Sequence, residues 1–402
     1  MNCVWRKTAV AVGLWGGLAA VLAGDASRAA QAPTRDPINI TVPQAILIEA
    51  DSGSVLYEKA ADQLVAPASL AKLMTVETVF DQIEIGNVKL DEEFVVSANA
   101  WRKGGAPSGG SAMFAAVHSR IQVQDLLKGV IIQSGNDACI ALAEGIAGNE
   151  NTFARMMNDR AREIGLTKSN FTNAAGLPDP EMRTTPRELA QLTQHVITTY
   201  PEYYKWFAER EFTWNKIRQQ NRNPLLTMNI GADGLKTGFT KEAGYNLVGS
   251  AEQNGLRLIV VVTGAKTAKD RADDAKKLLE WGFKGFEGRL LFAEGQTVGE
   301  AKVFGGERSY VPLVGKGEIR VMVPRNTTER ISAKLVYTGP VRAPVQQGQA
   351  VGKLQVWRND FLALEAPLQA AEGVGTGGTV GRAFDAATEL VIGLFRAGTG
   401  RI

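Results

Sequence analysis

The sequence predicts a mixed α/β (α+β) domain, then a small all-β sandwich domain, then a C-terminal amphipathic helix. Strand-like and helix-like apolar patterns alternate up to residue 285, and short apolar segments separated by Gly, Pro and Asn follow. A glycine-rich stretch at 373–381 then precedes a segment with helical spacing. We therefore expect domains at 36–285 and 286–372, a linker at 373–381 and a helix at 382–397.

The elements of both domains follow from apolar periodicity and turn residues. In the first domain, alternating or continuous apolar runs predict strands at 45–48 and 256–262, and helical spacing predicts helices at 70–80, 123–131, 187–198 and 271–281. In the second domain, apolar segments at 318–323, 333–337 and 354–357 predict short strands. We find no catalytic constellation in the second domain.

The N-terminus has the pattern of a secretory signal peptide. Arg6 and Lys7 form a basic head, residues 8–24 form an apolar run, and Ala29 ends a segment of small residues suited to cleavage. We expect cleavage after Ala29, so that residues 1–29 are removed and the protein works outside the cytoplasm. An uncleaved membrane anchor is the alternative.

Composition excludes several classes of function. Cys3 lies in the signal segment and leaves Cys139 as the mature chain's cysteine, so an intramolecular disulfide is excluded. His118 and His195, without clustered ligands, argue against a zinc site, and we expect no metal or other cofactor. A net charge of +3 without a dense basic run argues against nucleic acid as a partner.

The segment at 382–397 predicts an amphipathic helix. Its apolar stripe consists of Phe384, Ala387, Val391, Leu394 and Phe395. Such a helix after a flexible linker can lie in the plane of a membrane surface, which predicts peripheral attachment to the inner membrane. A helix docked on its own protein, or a frayed tail, is the alternative.

Ser69-Leu-Ala-Lys72 places a hydroxyl and an amine three residues apart at the start of a predicted helix. Residues at i and i+3 are neighbours on a helix surface. A serine hydroxyl needs an adjacent base to act as a nucleophile, and a lysine kept neutral by desolvation or nearby cations can be that base. The alternative is that Ser69 only caps the helix.

Two further motifs follow in order, Ser134-Gly-Asn136 and Lys236-Thr-Gly238. They come 65 and then 102 residues further along the chain, and the three motifs together are far more specific than any one of them. The surrounding segments are Pro67-Ala-Ser-Leu-Ala-Lys-Leu-Met-Thr75, Gln133-Ser-Gly-Asn-Asp-Ala-Cys139, Asp233-Gly-Leu-Lys-Thr-Gly238 and Lys276-Lys-Leu-Leu-Glu-Trp-Gly-Phe283. From about residue 36 to the C-terminus, the chain closely resembles the low-molecular-mass penicillin-binding proteins, which are serine-type D-Ala-D-Ala carboxypeptidases.

The resemblance implies a β-lactamase/transpeptidase-like catalytic domain and assigns roles to the motif residues. Ser69 would attack the carbonyl of the penultimate D-Ala of a peptidoglycan stem peptide, and β-lactams would acylate the same residue. Lys72 would accept the serine proton, with its pKa lowered by Lys236. Ser134 would relay a proton to the leaving amine, and Asn136 would hold the peptide backbone.

The strand that carries the third motif would bind the substrate edge to edge. Gly238 allows close approach because it has no side chain, and Thr237 would bind the terminal carboxylate. The backbone N–H groups of Ser69 and Phe239 would stabilise the oxyanion. Many family members carry histidine at the position of Phe239, so this residue departs from the family pattern.

The substrate carboxylate also calls for a cationic clamp, and the family pattern points to Arg222 and Arg271. A surface charge or a salt bridge is the alternative for each. The glycine-rich loop at 104–110 matches a mobile loop of the family and suggests a lid.

Three other functions remain open from the sequence. A β-lactamase would need a glutamate base, and Glu163-Ile-Gly-Leu-Thr167 resembles its context only superficially, so we interpret Glu163 as the exposed end of a helix. A non-catalytic wall-binding or β-lactam-sensing protein would not need an activated nucleophile and its base. Peptidoglycan endopeptidase activity is also compatible with the motifs.

Overall fold

A five-stranded antiparallel sheet, in the order β2-β1-β9-β8-β7, forms the centre of the first domain. The computed structural model describes residues 38–326 and 328–378, so the predicted signal segment 1–29 and the predicted helix 382–397 lie outside the described residues. The strands of this domain are β1 Gln44–Glu49, β2 Val55–Lys59, β3 Glu93–Val95, β4 Arg120–Gln122, β5 Glu211–Trp214, β6 Ile217–Gln220, β7 Ala232–Thr240, β8 Gly244–Gln253 and β9 Leu256–Ala265. The helices are α1 Lys72–Glu84, α2 Ala98–Gly104, α3 Val123–Lys128, α4 Asn136–Ala147, α5 Glu150–Glu163, α6 Pro186–Thr199, α7 Pro201–Tyr204 and α8 Ala268–Gly285.

Both faces of the central sheet are covered by helices. In β9, Ile259 and Val261 point into the core shared with α1 and α3–α6, whereas Val260 and Val262 point into the core shared with α8. Successive strand residues face opposite sides, so a strand buried on both sides requires a continuous apolar run. This explains why residues 256–262 were recognisable as a strand.

The second domain contains only β-strands. They are β10 Phe286–Phe292, β11 Gly299–Phe304, β12 Tyr310–Gly315, β13 Ile319–Pro324, β14 Ile331–Tyr337, β15 Val341–Arg342, β16 Ala350–Arg358 and β17 Phe361–Ala370. A six-stranded sheet in the order β14-β16-β17-β12-β11-β15 and the β10-β13 pair share one hydrophobic core. The predicted all-β domain is therefore confirmed.

Arg358 joins the second domain to the first. Its guanidinium donates hydrogen bonds to the carbonyls of Val55 and Leu56, at 3.4 and 3.3 Å, from the second domain to β2. It also lies over the rings of Phe286 and Phe361. The side chain is buried at this junction, which fixes one end of the second domain against the central sheet.

The first part of the glycine-rich stretch differs from the expected flexible linker. Val374 is buried in the core of the second domain and pairs with Val345 through two backbone hydrogen bonds of 2.9 Å. The backbone of Gly377 also donates to the carbonyl of Gly305. Up to residue 377 the chain is therefore packed on the all-β domain, because these backbone groups find partners there.

No helix within the two described ranges is both long enough and apolar enough to cross a bilayer.

Candidate active site

Ser69 lies in a single 3₁₀ turn, Ala68–Ala71, that runs directly into α1. The residue before this turn is Pro67, and no side chain caps the turn or α1, so the interpretation of Ser69 as a helix cap is wrong. Ser69 is half-buried, whereas the flanking Ala68 and Leu70 are buried. The turn therefore exposes the hydroxyl while its neighbours hold the backbone in the core.

Lys72 has the geometry required of a base for Ser69. Its Nζ lies 2.9 Å from the Ser69 Oγ and also donates to the carbonyl of Ala175. The side chain is fully buried, and burial lowers the pKa of Lys72 to about 8. A minor part of the Lys72 population is then neutral at pH 7, as a proton acceptor must be.

A loop that the sequence did not reveal supports this pair. Thr75 donates to the carbonyl of Ala174 at 2.7 Å, and the next carbonyl, that of Ala175, accepts from Lys72. Gly176 follows with φ +70°, and a Cβ there would lie 2.0 Å from the carbonyl oxygen of Ala68. The only sequence signal was a glycine in a turn-like Asn-Ala-Ala-Gly-Leu stretch, which does not indicate a contact about one hundred residues away.

Ser134 follows a π-helical turn, Gly129–Gln133, and adopts a left-handed backbone conformation with φ 65°. The residue is buried, and its Oγ has no hydrogen-bond partner among the residues that the structure describes. A buried hydroxyl without a partner is costly, which favours one that serves an incoming group.

Asn136 begins α4 beside Ser134, and the neighbouring Asp137 fixes its surroundings. The Asp137 carboxylate accepts from the backbone N–H groups of Met113 and Ala115, at 2.9 and 3.1 Å. Burial raises the pKa of this carboxyl group. Asp137 thus ties the segment before β4 to the start of α4, a role that the sequence analysis missed although the residue lies within a quoted segment.

The third motif lies on β7, the edge strand of the central sheet. A Cβ on Gly238 would lie 3.1 Å from both the backbone nitrogen of Ser69 and the carbonyl oxygen of Pro67. Any other residue would bring its Cβ into tight contact with this backbone, so glycine eases the packing of β7 against the nucleophile turn. Lys236 is buried on the same strand, and its Nζ donates to the carbonyl of Thr237 at 3.0 Å.

Burial is the main cause of both perturbed lysine pKa values. It lowers the pKa of Lys236 well below its usual value, and the charges of Lys72 and Arg222 lower it further. For Lys72, burial again dominates, and Arg222 is the cation that adds to it. Lys236 was expected to help lower the pKa of Lys72; desolvation of the Lys72 ammonium contributes most, and the repulsion between the two lysines is a cause of the lowered pKa of Lys236.

Arg222 and Arg271 are held by different parts of the fold. Arg222 donates to the hydroxyl of Ser111 at 2.5 Å, and its backbone N–H contacts the carbonyl of Ile132, in the turn before Ser134. Arg271, on α8, lies with its guanidinium carbon 5.8 Å from the ring centre of Tyr245. Its Nε is buried without a hydrogen-bond partner among the described residues. Both charges also lower the pKa of Lys236, which places them near the same site.

Phe239 is 50% exposed and ends the row of motif residues on β7. Its ring packs against that of Tyr245, its cross-strand partner on β8, with ring centres 4.2 Å apart. Thr237 is buried two residues earlier and points to the same face of the strand.

The loop at 104–110 packs close to Asn136. A Cβ on Gly104 would lie 2.5 Å from the backbone nitrogen of Asp137, and one on Gly110 would lie 3.0 Å from the Asn136 amide nitrogen. These glycines therefore let the loop approach the start of α4. Whether the loop acts as a lid stays a prediction.

Glu163 and the histidines lie outside this centre. Glu163 is the last residue of α5, its side chain is 64% exposed, and it pairs with Arg160 at 3.1 Å. His195 contacts the buried Glu77 at 3.1 Å on the far part of α1. Within residues 38–326 and 328–378, no group of three or more His, Cys, Asp or Glu side chains could hold a metal ion.

Comparisons with known proteins agree with this geometry. Residues 28–267 match the family model of D-alanyl-D-alanine carboxypeptidase, and residues 286–376 match the C-terminal domain of penicillin-binding protein 5. The chain is 43% identical over 344 residues to the D-alanyl-D-alanine carboxypeptidase DacC of Escherichia coli, covering 85% of this chain and 86% of that protein. It is 37% identical to the DacA protein of Haemophilus influenzae, covering 89% and 92%.

Solved structures give the same result. The chain superposes on penicillin-binding protein 5 from Haemophilus influenzae with a TM-score of 0.70 at 37% identity, covering 84% of this chain and 98% of that one. It also resembles penicillin-binding protein D2 from Listeria monocytogenes in its ampicillin-bound form, with a TM-score of 0.53 at 32% identity, covering 61% and 98%. The resemblance seen in the three motifs is thereby confirmed, and the chain belongs to the serine-type D-alanyl-D-alanine carboxypeptidase family of low-molecular-mass penicillin-binding proteins.

Proposed function

We propose that this protein removes the terminal D-Ala from peptidoglycan pentapeptide stems through an acyl-enzyme on Ser69, and that β-lactams acylate and inhibit it at the same residue. The observation that carries the proposal is the 2.9 Å contact between the Ser69 Oγ and the Nζ of the fully buried Lys72. A base within hydrogen-bond reach of a serine is the minimum requirement for nucleophilic catalysis.

Acylation would proceed by two proton transfers. Neutral Lys72 takes the Ser69 proton as the Oγ attacks the carbonyl carbon of the penultimate D-Ala, and a tetrahedral oxyanion forms. Ser134 then passes its hydroxyl proton to the nitrogen of the terminal D-Ala and receives the proton held by Lys72, so that Lys72 is neutral again. The C–N bond breaks, and an ester on Ser69 remains. The buried Ser134 hydroxyl, which lacks a partner among the described residues, supports this role.

Hydrolysis of the ester completes the reaction. A water molecule attacks the acyl carbon, gives a proton to Lys72, and the Ser69 oxygen leaves with a proton returned by that lysine. In both steps the backbone N–H groups of Ser69 and Phe239 would stabilise the oxyanion, and loss of one such donor typically costs about 10² to 10³ in rate.

Substrate binding would use the free edge of β7. An extended stem peptide adds to this strand, and Asn136 holds the peptide from the opposite side. The terminal carboxylate is then received by Thr237 with the nearby positive charges of Lys236, Arg222 and Arg271. The charge effects of both arginines on Lys236 support their convergence on this point.

Slow turnover of β-lactams follows from the position of Glu163. The side chain is exposed at the end of α5 and is paired with Arg160, so it is not available to activate a deacylating water at Ser69. We therefore prefer a carboxypeptidase over a β-lactamase. A purified protein that hydrolyses many penicillin molecules per second would contradict this preference.

We also propose a domain boundary between residues 285 and 286, export through residues 1–29 into the periplasm, and peripheral attachment to the inner membrane through residues 382–397. Fractionation of cells that produce the full chain or a chain ending at residue 378 tests the attachment. Release of the shorter protein from membranes supports it, and equal membrane content of both proteins contradicts it.

The central experiment combines mass spectrometry with a release assay. Incubation with penicillin is expected to add one acyl group to the peptide that carries Ser69, and a peptide ending in D-Ala-D-Ala is expected to yield free D-Ala. Ser69→Ala should lose both signals, whereas Ser332→Ala, an exposed serine of β14, should keep both. A folded wild type without D-Ala release would favour a non-catalytic sensor, and cleavage restricted to cross-linked peptides would favour an endopeptidase.

A further inference from the structure

An open cleft of about 540 Å³ begins at the end of β7, at Phe239, two residues beyond Thr237. Its walls include Phe239, Tyr245, Gly244 and Ala265, and the exposed Lys241, Glu242 and Lys266 lie at its rim. The cleft is far larger than the methyl group of a terminal D-Ala requires. The roles assigned to the motifs leave this space unused.

The orientation of the strands connects this cleft to the substrate. Thr237 and Phe239 lie two residues apart on one face of β7, opposite Leu247 and Tyr245 on β8. Arg271 approaches the same face from α8 and lies over the Tyr245 ring. A carboxylate held between Thr237 and Arg271 therefore places the C-terminal residue next to the Phe239–Tyr245 ring pair.

The ring pair provides an apolar surface that is already ordered. The two rings are 4.2 Å apart and tilted by 31°, and half of the Phe239 side chain remains exposed towards the cleft. Aromatic rings supply a large apolar area at low entropic cost. An exposed phenylalanine beside a reaction centre is more informative than one on an ordinary surface, because apolar exposure often marks a binding site.

We propose that the Phe239–Tyr245 pair is a binding surface for the side chain of the C-terminal D-residue, and that the protein releases apolar D-residues larger than alanine, such as D-Leu, as well as D-Ala. This inference rests on the proposed function, since it places the substrate carboxylate at Thr237 and Arg271. Phe239 is a specificity-determining residue in this view, and its backbone keeps its separate role in the oxyanion site.

The test measures kcat/KM for three peptides, Nα,Nε-diacetyl-L-Lys-D-Ala-D-Xaa with D-Ala, D-Leu or D-Glu at the end. The C-terminal residue leaves during acylation, so kcat/KM senses its contacts in the transition state. Wild type is expected to process the D-Leu peptide within about tenfold of the D-Ala peptide. Phe239→Thr introduces a residue suited to a strand. In this variant, kcat/KM for the D-Leu peptide relative to the D-Ala peptide should fall about tenfold, as expected for the loss of a few methylene contacts.

Two control variants and a third peptide test the alternatives. Phe239→Tyr keeps a ring and should keep the wild-type ratio, and Tyr310→Ala, an aromatic residue 52% exposed on the second domain, should also keep it. An unchanged ratio in Phe239→Thr, or a wild type that rejects the D-Leu peptide by more than a hundredfold, overturns the proposal. Preference for the D-Glu peptide over D-Leu overturns it as well, because the rim lysines would then select the residue. Failure to release D-Ala from the D-Ala peptide would instead contradict the proposed function.

Discussion

The acylation rate of Ser69 should rise with pH as Lys72 loses its proton. Burial lowers the pKa of Lys72 from the ordinary lysine value of 10.5 to about 8. About one tenth of the Lys72 population is then neutral at pH 7 and about nine tenths at pH 9, so acylation should increase about tenfold between these values. A lysine with the ordinary pKa would be neutral in only about 0.03% of molecules at pH 7.

The assay is the second-order rate constant for acylation by a fluorescent penicillin between pH 6 and 10. Lys236 is also buried and interacts with Lys72, so the two protons belong to the pair and must be separated. Lys236→Arg serves this purpose, because a guanidinium stays charged across the range. Its profile should show one ascending limb with a midpoint near or below pH 8, because a fixed neighbouring charge disfavours protonated Lys72.

Lys334→Ala, which removes an exposed lysine of the second domain, should reproduce the wild-type profile. A flat profile from pH 6 to 10, or a midpoint at pH 10 or above in both wild type and Lys236→Arg, would refute the assignment of Lys72 as the base. Intrinsic fluorescence recorded at each pH ensures that only folded protein contributes to the rates.

Three further predictions concern residues in and around this centre. Gly176→Ala should slow acylation at least tenfold and lower Tm, because its Cβ would lie 2.0 Å from the carbonyl oxygen of Ala68. Gly148→Ala is the control, since Gly148 has a similar φ of +76° but no atom within 4 Å of its Cβ position. An equal loss in Gly148→Ala would contradict an effect of the clash. Lys72→Met should abolish acylation, but its free energy of unfolding at pH 7 should be about 1–2 kcal/mol higher than that of the wild type. Burial of the Lys72 charge costs about 3 kcal/mol, and the loss of its hydrogen bonds offsets part of this gain. The pKa of Lys72 is lower in the folded than in the unfolded protein, so the stability of the wild type rises between about pH 8 and pH 10.5. The stability advantage of Lys72→Met, measured by denaturant titration, should therefore shrink over this pH range. An advantage that is independent of pH would contradict this. Glu163→Gln should leave the release of penicilloate from Ser69 unchanged within about twofold, and a large decrease would point to a β-lactamase-like base.

The fold was largely predictable because its elements have strong periodic signals. The apolar run at 256–262 lies within β9, and the predicted helix at 187–198 lies within α6, where Thr185 caps the first turn and Pro186 begins it. The predicted start of α1 at residue 70 was less accurate, because the chain enters this helix through a 3₁₀ turn that apolar spacing does not reveal. The change to an all-β domain near residue 285 was visible because α8 ends at Gly285, where short strands begin.

The site was predictable to the extent that its chemistry is local or carried by motifs. The contact of Ser69 with Lys72 follows from i, i+3 spacing, and the order of the other two motifs led to the family. The support by Ala175 and Gly176 was not predictable, because backbone carbonyls bear no residue-type signal and the contact spans about one hundred residues. The degree of burial of Lys72, which decides its pKa, also depends on packing between distant segments.

The charge balance of the centre explains how burial of Lys72 and Lys236 serves catalysis. Lys72 and Lys236 are both buried, and the buried carboxylate of Asp137 accepts from backbone N–H groups instead of hydrogen-bonding either ammonium, although its charge raises the pKa of Lys72. Buried charges without partners are unfavourable, so this arrangement lowers the stability of the free protein. The same imbalance lets Lys72 lose its proton near neutral pH and leaves positive potential for a substrate carboxylate. A carboxylate paired directly with Lys72 would raise its pKa further, whereas the ammonium contacts only the Ser69 hydroxyl and the Ala175 carbonyl among the described residues, which leaves the direct counter-charge to the substrate.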